Sequence, residues 1–311
     1  MKQRFLTALA IIAVVVVAFI LREVNNYIFD ALLCMIIIVS ANEVARVFNR
    51  SGRVNDSTLI TIFPVLNYIL FFFCLRENVK IGYIVLLSLA LIVALMLIEA
   101  IIVLITKNKL KKQYEENKLT KTFARFCLNK VLLTGFIMLY PALILSSMYY
   151  LNHLIDFKYL NLASKFSGIN LSLFVLLIMI ITTVANDTFA YLIGSSIKGP
   201  KLCPLISPNK TISGAIGGLL GGMVFGFGIY GLFVALGLSD VQIPIYLIII
   251  YTALAGVISQ LGDIFASIIK RRARTKDYSS IFPGHGGFMD RLDGISFNAV
   301  FTLAYFMLLI F

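Results

Sequence analysis

Nine stretches of the chain are apolar for long enough to act as bilayer spans, and no other sequence feature limits the fold as strongly. They fall at residues 5–21, 28–41, 57–75, 81–105, 131–150, 171–193, 213–237, 243–262 and 294–311. An α-helix rises about 1.5 Å per residue, so crossing a hydrocarbon core of about 30 Å takes about 20 residues. With no water in that core, each segment must satisfy its own backbone groups, which selects helices for runs of this kind. The expectation is an all-α, polytopic integral membrane bundle of about nine transmembrane helices. The run at 28–41 is the shortest, and the run at 213–237 qualifies because it is uncharged despite its glycines.

Composition agrees: 60% of the 311 residues are hydrophobic and only 14% are charged, too few charges to cover a soluble domain of this size. No polar stretch is long enough to form a separate soluble domain. We therefore expect one membrane domain over 1–311, with N-terminal helices and a basic connector in 1–130 and the chemically distinctive helices in 131–311. Lys2 and Arg4 precede the first apolar run as in a signal peptide, but no small-residue cleavage pattern closes it at Leu21-Arg22-Glu23; the expectation is a retained helix.

The net charge of +12 would suggest nucleic acid in a soluble chain. Here it follows the membrane topology. With the N-terminus inside, 22 of the 27 lysines and arginines fall on inner segments and 5 on outer loops, which predicts a cytoplasmic N-terminus and no nucleic-acid partner. The basic segment 107–130 is expected against anionic inner-leaflet lipid. Cys34, Cys74, Cys127 and Cys203 are far apart and lack C-x-x-C spacing, so neither a zinc site nor a disulfide framework is expected. No internal repeat is visible, which weighs against repeat-built transporters.

Charge inside apolar spans marks the candidate site, because an intramembrane carboxylate is expensive and usually functional. Gln260, Asp263, Ser267, Lys270 and Arg271 share one face of a helix. A helix end with snorkelling bases explains the cations but not Asp263. The loop Phe282-Pro283-Gly284-His285-Gly286-Gly287 suits close backbone approach to a phosphate. Asp290 and Asp293 open the last helix, where acids also complement the helix dipole. Asp263 and Asp290, from two helix ends, suit Mg²⁺, which takes one or two carboxylates plus phosphate oxygens. Asn186-Asp187-Thr188 puts another acid in an apolar span. In Ser207-Pro208-Asn209-Lys210-Thr211, capping explains the hydroxyls, while Lys210 can meet a phosphate at a helix N-terminus. Glycines at 214, 218, 222 and 226 predict a smooth packing face. His153 and Glu99 receive no role.

The segment from Ser267 to Asp293 resembles the C-terminal signature of the CDP-diacylglycerol synthase, or phosphatidate cytidylyltransferase, family. The resemblance rests on Ser267, Lys270, Arg271, Lys276, Asp277, Pro283, His285, Gly286, Gly287, Asp290, Arg291 and Asp293. Gln260-Leu261-Gly262-Asp263, Asn186-Asp187-Thr188 and the Ser-Pro-x-Lys-Thr loop match in the same order. It covers residues from about 180 onward; the first half agrees only as a set of helices. Asn209 stands where the family often has a second lysine, and Ile212-Ser213 replaces a frequent aromatic–acidic pair.

The resemblance implies conversion of CTP and phosphatidic acid to CDP-diacylglycerol and pyrophosphate for phospholipid biosynthesis. It implies an active site on the cytoplasmic face of a bacterial-type inner membrane, and a homodimer. Asp263 and Asp290 would hold Mg²⁺, with a second cation left open and Asp187 as a further ligand or orienting group. Lys270, Arg271, Lys276 and Arg291 would neutralise phosphate charge, and His285, Gly286 and Gly287 would form the phosphate loop. Asn186, Ser207, Lys210, Thr211, Ser267, Asp277 and Asp293 would complete the substrate contacts. The rivals are a CTP-dependent lipid kinase of the dolichol kinase type and, from another class, a lipid transporter. The Asp-Gly-x2-Ala-Arg pattern of CDP-alcohol phosphotransferases is absent.

Overall fold

A computed structural model describes residues 2–117, 122–160, 171–236, 243–282, 284 and 286–310. The helices are α1 (Lys2–Val24), α2 (Asn26–Arg50), α3 (Ser57–Arg76), α4 (Ile81–Ile105), α5 (Lys107–Asn117), α6 (Phe123–Ile137), α7 (Ile144–Asn152), α8 (Leu171–Ile197), α9 (Ile212–Ala235), α10 (Ile245–Arg272) and α11 (Met289–Ile310). The protein is an all-α polytopic membrane bundle. Among the described residues, 8 spans are long and apolar enough to cross a membrane, and the first apolar run of the sequence lies on α1.

Two spans differ from the runs counted in the sequence. The 28–41 run continues to Arg50, because Val44, Ala45, Val47 and Phe48 remain buried beyond Glu43; the apolar run stops before Asn42-Glu43, whereas the helix does not. The 131–150 run begins earlier, so that Phe123–Asn152 forms one span. Its middle, Met138–Leu143, is a π-helical segment containing Pro141, which supplies no backbone donor to the ladder.

The chain divides into two compact units. The first comprises 1–146 and 272–290; the second comprises 147–271 and 291–311. In the first, α2 packs against α1 and α3, and α4 against α6. Asp56 caps α3 by accepting from Thr58 N at 3.0 Å and Leu59 N at 3.2 Å. Nearby, the fully buried Glu99 accepts Lys130 Nζ at 2.8 Å and Thr134 Oγ1 at 3.0 Å. Lys130 also lies 3.7 Å from Asp56. This buried charge set ties α3, α4 and α6 and gives Glu99 a structural place.

In the second unit, α9 lies against α8 along its glycines. A Cβ on Gly214 would meet Ala190 O at 2.7 Å, and one on Gly218 would meet Asn186 O at 2.6 Å. Small residues allow backbones to approach in this way where lipid offers no hydrophobic drive for association. The segment before α9, read in the sequence as a loop, is an antiparallel hairpin: β1 (Lys201–Cys203) pairs with β2 (Ser207–Thr211). Thr211 Oγ1 accepts Gly214 N at 3.1 Å and caps α9.

Candidate active site

The second unit gathers most of the sequence-derived candidates. Asp263, partway along α10, accepts Lys210 Nζ from β2 at 2.9 Å through Oδ2. Its Oδ1 is buried and lacks a hydrogen-bond partner among the described residues, as does Ser259 Oγ one turn earlier. Glycines bring α10 and α11 together here. A Cβ on Gly262 would meet Asp293 O at 2.6 Å, and one on Gly294 would meet Ser259 Oγ at 2.5 Å and Asp263 Oδ1 at 3.0 Å. The adjacent glycine and aspartate in each helix, Gly262-Asp263 and Asp293-Gly294, thus serve one purpose: the glycine lets the backbones meet and its neighbour carries the acid.

Asp293 lies 3.8 Å from Lys270 Nζ and accepts its own neighbour's amide, Gly294 N, at 3.1 Å. Asp263 acts electrostatically on both Asp187 and Asp293, so three carboxylates share one field, with Lys210, Lys270 and Arg291 opposing it. A relay orients Asp187. Gln260 Nε2 donates to Ala215 O and to Asn186 Oδ1, each at 2.9 Å, and Asn186 Nδ2 donates to Asp187 Oδ1 at 3.3 Å.

The remaining candidates of this unit are less concentrated. Ser267 is half-buried one turn past Asp263. Arg271 Nε donates to Ile206 O at the hairpin turn, at 3.1 Å. Ser207 begins β2, and Thr211 serves the α9 cap.

The first unit holds the loop between α10 and α11. Lys276 and Asp277 are exposed. Phe282 N donates to Gly286 O at 2.8 Å, and the rings of Phe282 and Phe288 lie 4.7 Å apart. Asp290 Oδ2 accepts Tyr278 N at 2.8 Å and Gly287 N at 2.9 Å. Glu43, from α2, accepts Ser279 Oγ at 2.6 Å, Phe288 N at 3.1 Å and Met289 N at 2.9 Å. The amide of Gly287, in the loop that the sequence suggested for a phosphate, is therefore bonded to a carboxylate, as are the amides of Phe288 and Met289 that follow it. Pro283 and His285 lie outside the described residues.

Glu43 is absent from the sequence-derived set. The signal that points to it is a carboxylate followed directly by buried apolar residues, but it was hidden because the apolar run was ended at residue 41. Asp263 and Asp290, proposed from the sequence as a metal pair, belong to different units. Within its own unit Asp290 holds backbone amides, whereas Asp293 is the acid of that turn that acts on Asp263. Among the described residues, no three His, Cys, Asp or Glu side chains form a metal-holding group. The donor set nonetheless fits Mg²⁺: Asp263 Oδ1 is an unpaired buried acceptor, and Mg²⁺ takes few protein ligands when substrate phosphates supply the rest.

A polytopic membrane bundle with three interacting carboxylates and opposing lysines is the class that the fold and site define. The chain belongs to the cytidylyltransferase family, which it matches over residues 2–310. It is 37% identical over 177 residues to the phosphatidate cytidylyltransferase of Aquifex aeolicus (strain VF5), covering 57% of this chain and 58% of that one. It is 39% identical over 127 residues to that of Bacillus subtilis (strain 168), covering 41% of this chain and 44% of the relative. With Staphylococcus haemolyticus (strain JCSC1435) the values are 37% over 135 residues, 43% and 48%. The chain thus spans about half the length of the curated relatives it matches.

Proposed function

We propose that the protein is a phosphatidate cytidylyltransferase, converting CTP and phosphatidic acid to CDP-diacylglycerol and pyrophosphate. The observation that carries this reading is Asp263, with Lys210 on one oxygen, a buried second oxygen without a hydrogen-bond partner among the described residues, and electrostatic action on Asp187 and on Asp293, which Lys270 faces. A cluster of acids and bases of this kind suits phosphoryl chemistry, where positioning and charge neutralisation supply most of the catalysis.

In the reaction, a phosphate oxygen of the lipid attacks the α-phosphorus of CTP. The bond from that phosphorus to the bridging oxygen of the β-phosphate breaks, and pyrophosphate leaves with its electron pair. The lipid phosphate is the nucleophile, so no covalent enzyme intermediate is required. Lys210 and Lys270 neutralise phosphate charge, with Arg271, Lys276 and Arg291 as further cations. Asn186 and Gln260 keep Asp187 oriented, and the α10–α11 glycines hold Asp263 and Asp293 in register. Asp263 and Asp293 would hold Mg²⁺, which would supply charge neutralisation to the phosphates. Asp293 is favoured by its action on Asp263, and Asp→Asn variants separate it from Asp290 by their Mg²⁺ dependence.

The 22-to-5 distribution of basic residues supports a cytoplasmic active site in a bacterial-type inner membrane. The homodimer rests on resemblance alone. The test is conversion of labelled CTP by detergent-purified protein, with phosphatidic acid, with and without Mg²⁺. A CDP-lipid and pyrophosphate, formed only with Mg²⁺, are expected. Release of CDP with transfer of the γ-phosphate to a polyprenol offered in place of phosphatidic acid would instead make it a lipid kinase.

A further inference from the structure

We infer that Glu43, a helix α2 residue far from every sequence motif, is the positioning residue of the loop that precedes α11. The glycine pair of that loop exists to admit two carboxylates. This inference rests on the cytidylyltransferase reading for its kinetic consequences.

Glu43 is fully buried, and the bonds that hold it come from neutral donors: the Ser279 hydroxyl and the amides of Phe288 and Met289. Met289 is the first residue of α11. Glu43 therefore does for α11 what a local capping side chain does elsewhere, satisfying amides at the helix start with a charge that the dipole favours. It does so from a residue 246 positions away. Burying an ionised carboxylate this way is strongly unfavourable unless its acceptors are filled, and charge-assisted bonds of this type are among the stronger ones.

The two glycines explain the arrangement sterically. Gly286 has φ +79°, and a Cβ there would meet Asp290 Oδ2 at 2.6 Å. A Cβ on Gly287 would run into both carboxylate oxygens of Glu43 and would meet Ser279 Oγ at 2.5 Å. Each glycine makes room for one acid: Gly286 for Asp290, Gly287 for Glu43. The two acids then bind four amides and one hydroxyl between residues 278 and 289. Residues 278, 279 and 287–289 are thereby held in place by the two carboxylates, beside the exposed Lys276.

The test uses the full-length protein in detergent, with two readouts. Glu43→Gln keeps the shape but turns an acceptor into a donor facing an amide. Amide exchange over residues 278–289 should accelerate about tenfold, in line with the loss of a bond to a charged group. The KM for CTP should rise about tenfold, while the KM for phosphatidic acid stays within about twofold. Gly287→Ala should reproduce both changes. Because the added methyl clashes with the Glu43 carboxylate, the double variant Glu43→Ala/Gly287→Ala should be no worse than Glu43→Ala alone. Unchanged exchange and CTP KM in Glu43→Gln would overturn the inference. So would a uniform loss of thermal stability with both KM values intact, or multiplicative effects in the double variant. If the wild-type protein makes no CDP-lipid yet exchange still accelerates in Glu43→Gln, the loop assignment stands and the proposed reaction falls.

Discussion

The two units hold acids of opposite use. In the first, Glu43 and Asp290 accept neutral donors from one loop and its helix start. In the second, Asp187, Asp263 and Asp293 act on one another, and lysines pair with two of them. The same side-chain chemistry thus fixes backbone in one place and concentrates charge in the other. The donors differ accordingly: neutral groups where the carboxylate fixes backbone, lysines where charge is concentrated. Glu99 is a third case, neutralised by Lys130 at 2.8 Å and remote in role from both.

Breaking the charge cluster should have the largest effect. Asp263→Asn removes the charge that Lys210 and the proposed Mg²⁺ both require, and kcat should fall by about a hundredfold or more, the scale at which single electrostatic groups act in transfer reactions. Steady-state rates on folded, size-excluded protein check this. Lys210→Ala should cost about tenfold to a hundredfold in kcat/KM for CTP, with Lys210→Arg retaining more activity than Lys210→Ala.

The clamp should break differently. Asp290→Asn is expected to raise the CTP KM about tenfold, with kcat changed less, and to accelerate amide exchange at Tyr278 and Gly287. If Asp290→Asn instead abolishes Mg²⁺ dependence as Asp263→Asn does, the two sets of acids are one. The smallest effect on turnover is expected for Lys130→Met. Leaving Glu99 unpaired should cost about 3–5 kcal/mol of stability, visible as a lower unfolding midpoint, with kcat of the folded fraction unchanged.

The spans were readable in the sequence because lipid demands long apolar helices and punishes every charge within them. The same penalty made Asp187 and Asp263 stand out as candidates. Helix ends were less readable: α2 runs on to Arg50 although its apolar run stops earlier, and this concealed Glu43. The hairpin 201–211 was read as a loop because strands of three and five residues leave no periodicity to see. Gly286 and Gly287 were read as room for a phosphate. Glycine reports that space is needed and not what fills it; the occupants come from α11 and, far away in sequence, α2.

The most direct measurement follows CTP labelled separately at the α- and γ-phosphates, with phosphatidic acid and Mg²⁺, through wild-type and Asp263→Asn protein. The expected result is α-label in a CDP-lipid and γ-label in pyrophosphate for the wild type, with neither from Asp263→Asn. Transfer of γ-label to lipid, or undiminished CDP-lipid formation by Asp263→Asn, would contradict the proposed function and its site.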